Sequence, residues 1–184
     1  MNAGIVAQRY ATALLKYVKE TRNEDLVYAQ VSLLVQSFAD IPQFRDALEH
    51  NPDLSYENRL ALMRTALNED VCDELCRFMR LVESHSRMGI LSRMLTGFVD
   101  KYRECRNIKV GTLVTAVPQD GLQKRLEEFI SSDTGGTVNL RSVVDESLIG
   151  GFVLHVDDLR MDASVSGQFQ RIRSALIEND NRII

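Results

Sequence analysis

The chain has 184 residues, enough for one ordinary domain or two small ones. Hydrophobic residues make up 45% and charged residues 26%, which excludes an intrinsically disordered chain. The formal net charge is −4, and no run of Lys or Arg could neutralise a line of phosphates, so nucleic acid is not an expected partner.

The longest stretch without a formal charge runs from Leu26 to Ala39. As a helix it would span only about 21 Å, whereas a bilayer core needs about 30 Å, so no transmembrane segment is expected. The start does not read as a signal peptide, because it lacks a basic region before an apolar core and Arg9 and Lys16 interrupt its apolar positions. Cys72, Cys76 and Cys105 are an odd number, which fits a reducing compartment better than a disulfide framework.

Up to about Asn107 the chain reads as six helices. Val6, Tyr10, Leu14 and Val18 recur every four residues, and Val27, Val31, Leu34 and Phe38 step by four, three and four. A short helix follows with Pro42 in its first turn and Phe44 and Leu48 on its buried side. After Asn51-Pro52, Ser55 is a good N-cap for a helix carrying Leu60, Met63 and Leu67. Val71, Leu75, Phe78 and Val82 mark the fifth helix; Leu91, Leu95, Phe98, Tyr102 and Cys105 mark the sixth. Each apolar stripe is narrow, so each helix hides one face, and short connections favour antiparallel neighbours in a bundle.

Seven of the ten glycines lie beyond that point, and the periodicity changes. Ile108, Val110, Thr112, Val114 and Ala116 alternate on one strand face, with Leu113 and Val117 on the other. Leu122, Leu126 and Phe129 mark a helix that Gly135-Gly136 ends. Strands follow at Val138–Leu140, at Phe152, Leu154 and Val156, and around Met161 after a turn at Asp157-Asp158. A last helix carries Val165, Phe169, Ile172 and Leu176. The expected class is α+β: a helical bundle over residues 1–106, then a small α/β domain over 107–184 with a short mixed sheet.

Catalytic machinery is hard to find. No Gly-x-Ser-x-Gly, phosphate loop or dinucleotide fingerprint occurs. His50, His85 and His155 have no partner at metal spacing, and Cys72 and Cys76 supply at most half a site, so neither metal nor cofactor is expected. Asp145-Glu146 and Asp157-Asp158 read as turn formers, and Asp162 as an N-cap or turn acid before the last helix. Gly150-Gly151 gives the chain unusual dihedrals or close packing at its entry to the Phe152 strand. Ala3, Ala7 and Ala11 form a stripe beside Tyr10 and Leu14. Small residues there either let the first helix pack tightly in its own bundle or open a groove for a foreign amphipathic helix.

Two segments carry a resemblance. One is Ala7-Gln8-Arg9-Tyr10-Ala11-Thr12-Ala13-Leu14. The other is Asp145-Glu146-Ser147-Leu148-Ile149-Gly150-Gly151-Phe152, followed by Arg160-Met161-Asp162-Ala163-Ser164-Val165. Asn51-Pro52, Ser55 and Arg59, with Arg for the more usual Lys, and Arg87 with Leu91 add to it. The sequence resembles the delta subunit family of the F-type ATP synthase, called OSCP in mitochondria. The resemblance implies a non-catalytic stator subunit serving proton-driven ATP synthesis. Its bundle would receive the N-terminal helix of an alpha subunit between the first and fifth helices, through Ala7, Tyr10, Ala11, Leu14, Phe78 and Leu81. Its C-terminal part, with Asp145, Gly150, Gly151, Asp162 and Ser164 as its structural motif, would hold the b subunits of the peripheral stalk. The membrane would be reached only through the complex, at the cytoplasmic face of a bacterial inner membrane. A generic helical adaptor for an unrelated partner helix is the alternative.

Overall fold

The computed structural model describes residues 3–51, 53–119, 121–157 and 159–180, with the side chains of 172 and 174–180 outside the description. The chain divides into two compact units, Met1–Arg103 and Glu104–Ile184.

The first unit holds α1 (Ala3–Thr21), α2 (Glu24–Asp40), α3 (Pro42–His50), α4 (Tyr56–Leu67), α5 (Asp73–Ser84) and most of α6 (Leu91–Arg106), with a 3₁₀ turn at Met88–Ile90. The stripes read from spacing become its core. Val18, Val27, Val31, Leu34, Leu75, Val82, Leu91, Leu95 and Phe98 are all fully buried. Local chemistry sets the helix ends. Pro42 opens α3, where its missing N–H costs nothing. Ser55 caps α4 by accepting from the Asn58 N–H at 3.3 Å. Cys105, expected on the buried stripe of α6, is exposed, because the helix outruns the bundle in its last turn.

α1 comes close to α6 at one point. A Cβ added at Gly97 of α6 would stand 3.3 Å from the Ala11 Cβ. Glycine on one helix and alanine on the other let the two backbones approach, as small residues do at tight helix crossings.

The second unit holds β1 (Ile108–Thr115), α7 (Leu122–Thr134), β2 (Thr137–Val144), β3 (Phe152–Val156), β4 (Leu159–Asp162) and α8 (Val165–Asp180). The sheet order is β2-β1-β3-β4. β1 and β2 run parallel across the α7 crossover, while β3 pairs antiparallel with both β1 and β4, so the sheet is mixed. Leu113, Val138, Leu140, Leu154 and Val156 form its core, with Leu122, Leu126 and Ile130 of α7 packed on them. The structure decides one point the spacing left open and changes one expectation. The buried face of β1 is the one with Gly111, Leu113 and Thr115, and the bulkier Val110 face is the more open one. Ile130, not Phe129, turns inward from α7; Phe129 is 71% exposed. On α8, Phe169 is exposed, and Ile172 and Leu176 lie outside the described side chains.

Candidate partner-docking site

The flanks of α1 and α5 meet in a groove of about 430 Å³ lined by Ala13, Leu14, Tyr17, Arg77, Phe78 and Leu81. Leu14 and Phe78 are buried and make its floor, while Leu81 stands 45% exposed on the lip. At one end the Arg77 Nη1 donates to the Tyr17 hydroxyl at 2.8 Å, crossing from α5 to α1. Toward the other, Tyr10 lies edge-on to Phe78 and to His85, both with ring centroids at 6.3 Å. Its hydroxyl accepts from the Arg87 Nη1 at 2.8 Å.

Of the six residues read from the sequence, Leu14, Phe78 and Leu81 line this groove and Tyr10 adjoins it. Ala7 and Ala11 do not line it; they are 3% and 0% exposed, and Ala11 is spent on the crossing with Gly97. The stripe that a helix buries in its own bundle has no surface left for a visitor. The groove instead opens on the flank of that stripe, which is where Ala13, Tyr17 and Arg77 sit. Their signal was available: Tyr17 is three residues beyond Leu14, and Arg77 is four before Leu81, on neighbouring turns of the same faces.

Polar contacts fix the two walls. Arg59 of α4, almost fully buried, donates to Glu83 of α5 at 2.5 Å and to the Asn51 carbonyl at 2.8 Å. The Asn51, Ser55 and Arg59 element is thus a brace between the α3–α4 turn and α5. At the other end of α5, Asn23 donates to the Glu74 carboxylate at 2.6 Å. That bond holds the Glu74 carboxyl below its ordinary pKa. Gln30 accepts from the Cys72 N–H at 3.0 Å and donates to the Asp70 carbonyl at 2.8 Å, pinning the α4–α5 turn. Burial pushes the Cys72 and Cys76 thiols up, away from the reactive thiolate.

Four of the five motif residues of the second unit, Gly150, Gly151, Asp162 and Ser164, lie against one another where the chain enters β3 and α8. Asp162 Oδ1 accepts from the Ser164 N–H at 2.9 Å and its hydroxyl at 2.6 Å. Ser164 Oγ in turn accepts from the Gly167 N–H at 3.0 Å, which makes Ser164 the cap of α8 and Asp162 the turn acid that orients it. The Val165 N–H donates to the Gly150 carbonyl at 3.0 Å, and the Ala163 N–H to Phe152 at 2.9 Å. Gly151 has φ +78°, and a Cβ there would lie 2.3 Å from the Ala163 carbonyl oxygen. Asp145 closes its own turn by accepting from the Ser147 N–H at 2.9 Å. Hydrogen bonds from Ser147 and Ser164 keep the Asp145 and Asp162 carboxyls below the usual range. Both acids are ionised turn acceptors, the opposite of a proton-donating acid held for catalysis. Among the described residues no three His, Cys, Asp or Glu side chains are placed to hold a metal ion.

The first unit is thus a helical bundle with a mostly apolar groove between α1 and α5, and the second is a small mixed-sheet unit with α7 packed on it. A family profile described as "ATP synthase delta (OSCP) subunit" matches residues 6–176. The chain is 37% identical to ATP synthase subunit delta of Phocaeicola vulgatus and 34% identical to that of Bacteroides thetaiotaomicron, with 100% of both chains covered in each case. Its fold is similar to that of a chain in the Toxoplasma gondii mitochondrial ATP synthase hexamer, with a TM-score of 0.63 and 22% identity over 93% of this chain and 97% of that one. The chain belongs to the ATP synthase delta (OSCP) subunit family, a stator component of the F-type ATP synthase and not its catalytic subunit. Among the described residues no helix is long and apolar enough to cross a membrane, and the protein is a peripheral part of the complex.

Proposed function

We propose that this subunit is a passive clamp between the catalytic head and the peripheral stalk, at the cytoplasmic face of a bacterial inner membrane. The α1–α5 groove receives the amphipathic N-terminal helix of an alpha subunit, and the second unit holds the b subunits. The observation that carries the first half is the groove itself, with its buried Leu14 and Phe78 floor and its exposed Leu81 lip. A stator joint must release slowly, and nanomolar binding corresponds to about 12 kcal/mol. A helix seated on an apolar floor supplies that from a contact of about 800 Å² per partner. Exposed ion pairs, at about 0–1 kcal/mol each, do not. The second half is supported by exposed apolar side chains on the sheet unit, where Ile149 is 79% and Leu159 76% exposed. These side chains leave apolar area available to a partner.

The test is a titration of the full-length chain with a peptide of the alpha-subunit N-terminal segment from the same organism. Binding at or below micromolar concentration, lost or much weakened in Leu81→Gln, is expected. Absence of binding at tens of micromolar by a folded chain overturns the groove reading.

A further inference from the structure

Among the described residues the groove between α1 and α5 has one charged lining residue, Arg77; the other five are neutral. Arg77 is exposed on the lip, and its Nη1 bonds to the neutral Tyr17 hydroxyl across the groove. Asp73 and Glu74 lie near it on α5, yet neither lines the groove, and Glu74 is bonded to Asn23. A phenol oxygen is a weak acceptor for a guanidinium, whereas a carboxylate takes it in a charge-assisted, often bidentate pair. Seating a helix here removes water from the lip and makes a poorly matched charge costlier than it is in the free protein. A visitor with a basic side chain at that turn would be repelled, and one with only neutral side chains would leave the guanidinium on its phenol.

We propose that Arg77 is a specificity-determining residue of this groove. It selects an amphipathic helix that carries an Asp or Glu within reach of the guanidinium, beside the aliphatic face that covers Leu14 and Leu81. The inference rests on the groove reading above and adds to it the charge the visiting helix must bear. Tyr17 holds the guanidinium on the lip until the carboxylate arrives.

The experiment uses the full-length chain and the alpha N-terminal peptide, with each Asp and Glu of the peptide changed in turn to Asn or Gln. One such change is expected to weaken binding about fivefold or more, beyond an ordinary exposed ion pair because docking dries the lip. Arg77→Gln, with unchanged helicity by circular dichroism, should lose the same factor toward the parent peptide and nothing further toward that amide variant. Leu81→Gln should weaken every peptide alike. If all amide variants bind as the parent does while Leu81→Gln still weakens them, the charge selection is wrong and the groove stands. If no peptide binds, or Leu81→Gln is silent, the groove reading fails and this inference falls with it.

Discussion

The guanidinium of Arg87 donates from Nη1 to the Tyr10 hydroxyl at 2.8 Å, fastening the turn after α5 to the middle of α1. The two residues are 77 positions apart, and each sits in one of the short motifs that carry the family resemblance. Tyr10→Phe keeps the edge contacts to Phe78 and His85 and removes only the hydroxyl. For a half-buried bond to a charged donor the expected loss is about 1 kcal/mol, read as a lower urea midpoint with unchanged slope. An unchanged midpoint would mean that water serves Arg87 equally well.

Ala11 and Leu81 separate packing from docking. Ala11 is fully buried against α6 at Gly97, so Ala11→Leu forces extra methylenes into a filled crossing. It should cost about 1–3 kcal/mol and lower the melting temperature before any peptide is added. Ala7→Trp, at another buried position of the same stripe, should behave alike and cannot serve as a clean block of the groove. Leu81→Gln should instead leave the melting temperature nearly unchanged and weaken the peptide about tenfold, since it trades half-exposed apolar area on the lip for an amide. If Ala11→Leu melts like the parent but fails to bind, the alanine stripe is part of the docking face after all.

Glu74 gives the bundle a defined acid response. Its carboxylate accepts from Asn23, and its folded-state pKa is lowered, first by that bond. A lowered carboxylate stabilises the fold above its unfolded value, about 4.3, and loses that contribution as the pH falls toward the folded value. Glu74→Gln should therefore be less stable than the parent near neutrality, and the gap should close below about pH 4. Urea midpoints measured across that range decide it; a gap independent of pH would assign the difference to packing.

The helices of the bundle were legible because their apolar residues recur at helical spacing on one face only, and those faces are the core. The same signal picks out buried residues rather than the lining of the α1–α5 groove. Ala7 and Ala11 stand out by spacing, and spacing marks what a helix buries at home; Tyr17 and Arg77 lie one turn from Leu14 and Leu81, but their polar tips keep them out of an apolar stripe. In β1 the alternation is real, but both faces are apolar enough that period two alone cannot say which one α7 covers. Phe129 and Ile130 are adjacent, and a one-position shift of the α7 stripe exchanges them. The Asp162-x-Ser164 motif marked a helix start correctly, while the division of labour between acid and hydroxyl depended on which one reached the Gly167 N–H.

Gly151 tests whether the two halves are separable. Its φ of +78° and the 2.3 Å approach of the Ala163 carbonyl to any Cβ leave no room for a side chain. Gly151→Val should cost at least about 3 kcal/mol through strain and clash together. Gly151 lies in the connection that enters β3 and packs on Ala163 and Ser164 just before α8, so the loss should fall on the sheet unit. Gly150→Val, beside the Val165 side chain, should act in the same direction with a smaller effect. We read residues 1–106 as a bundle that stands without the rest. Hydrogen exchange should then show the amides of β1 and β3 losing protection in Gly151→Val while those of α2 and α5 keep theirs. Loss of protection in both places together would mean one cooperative structure, and the boundary after Arg106 would not be a domain boundary.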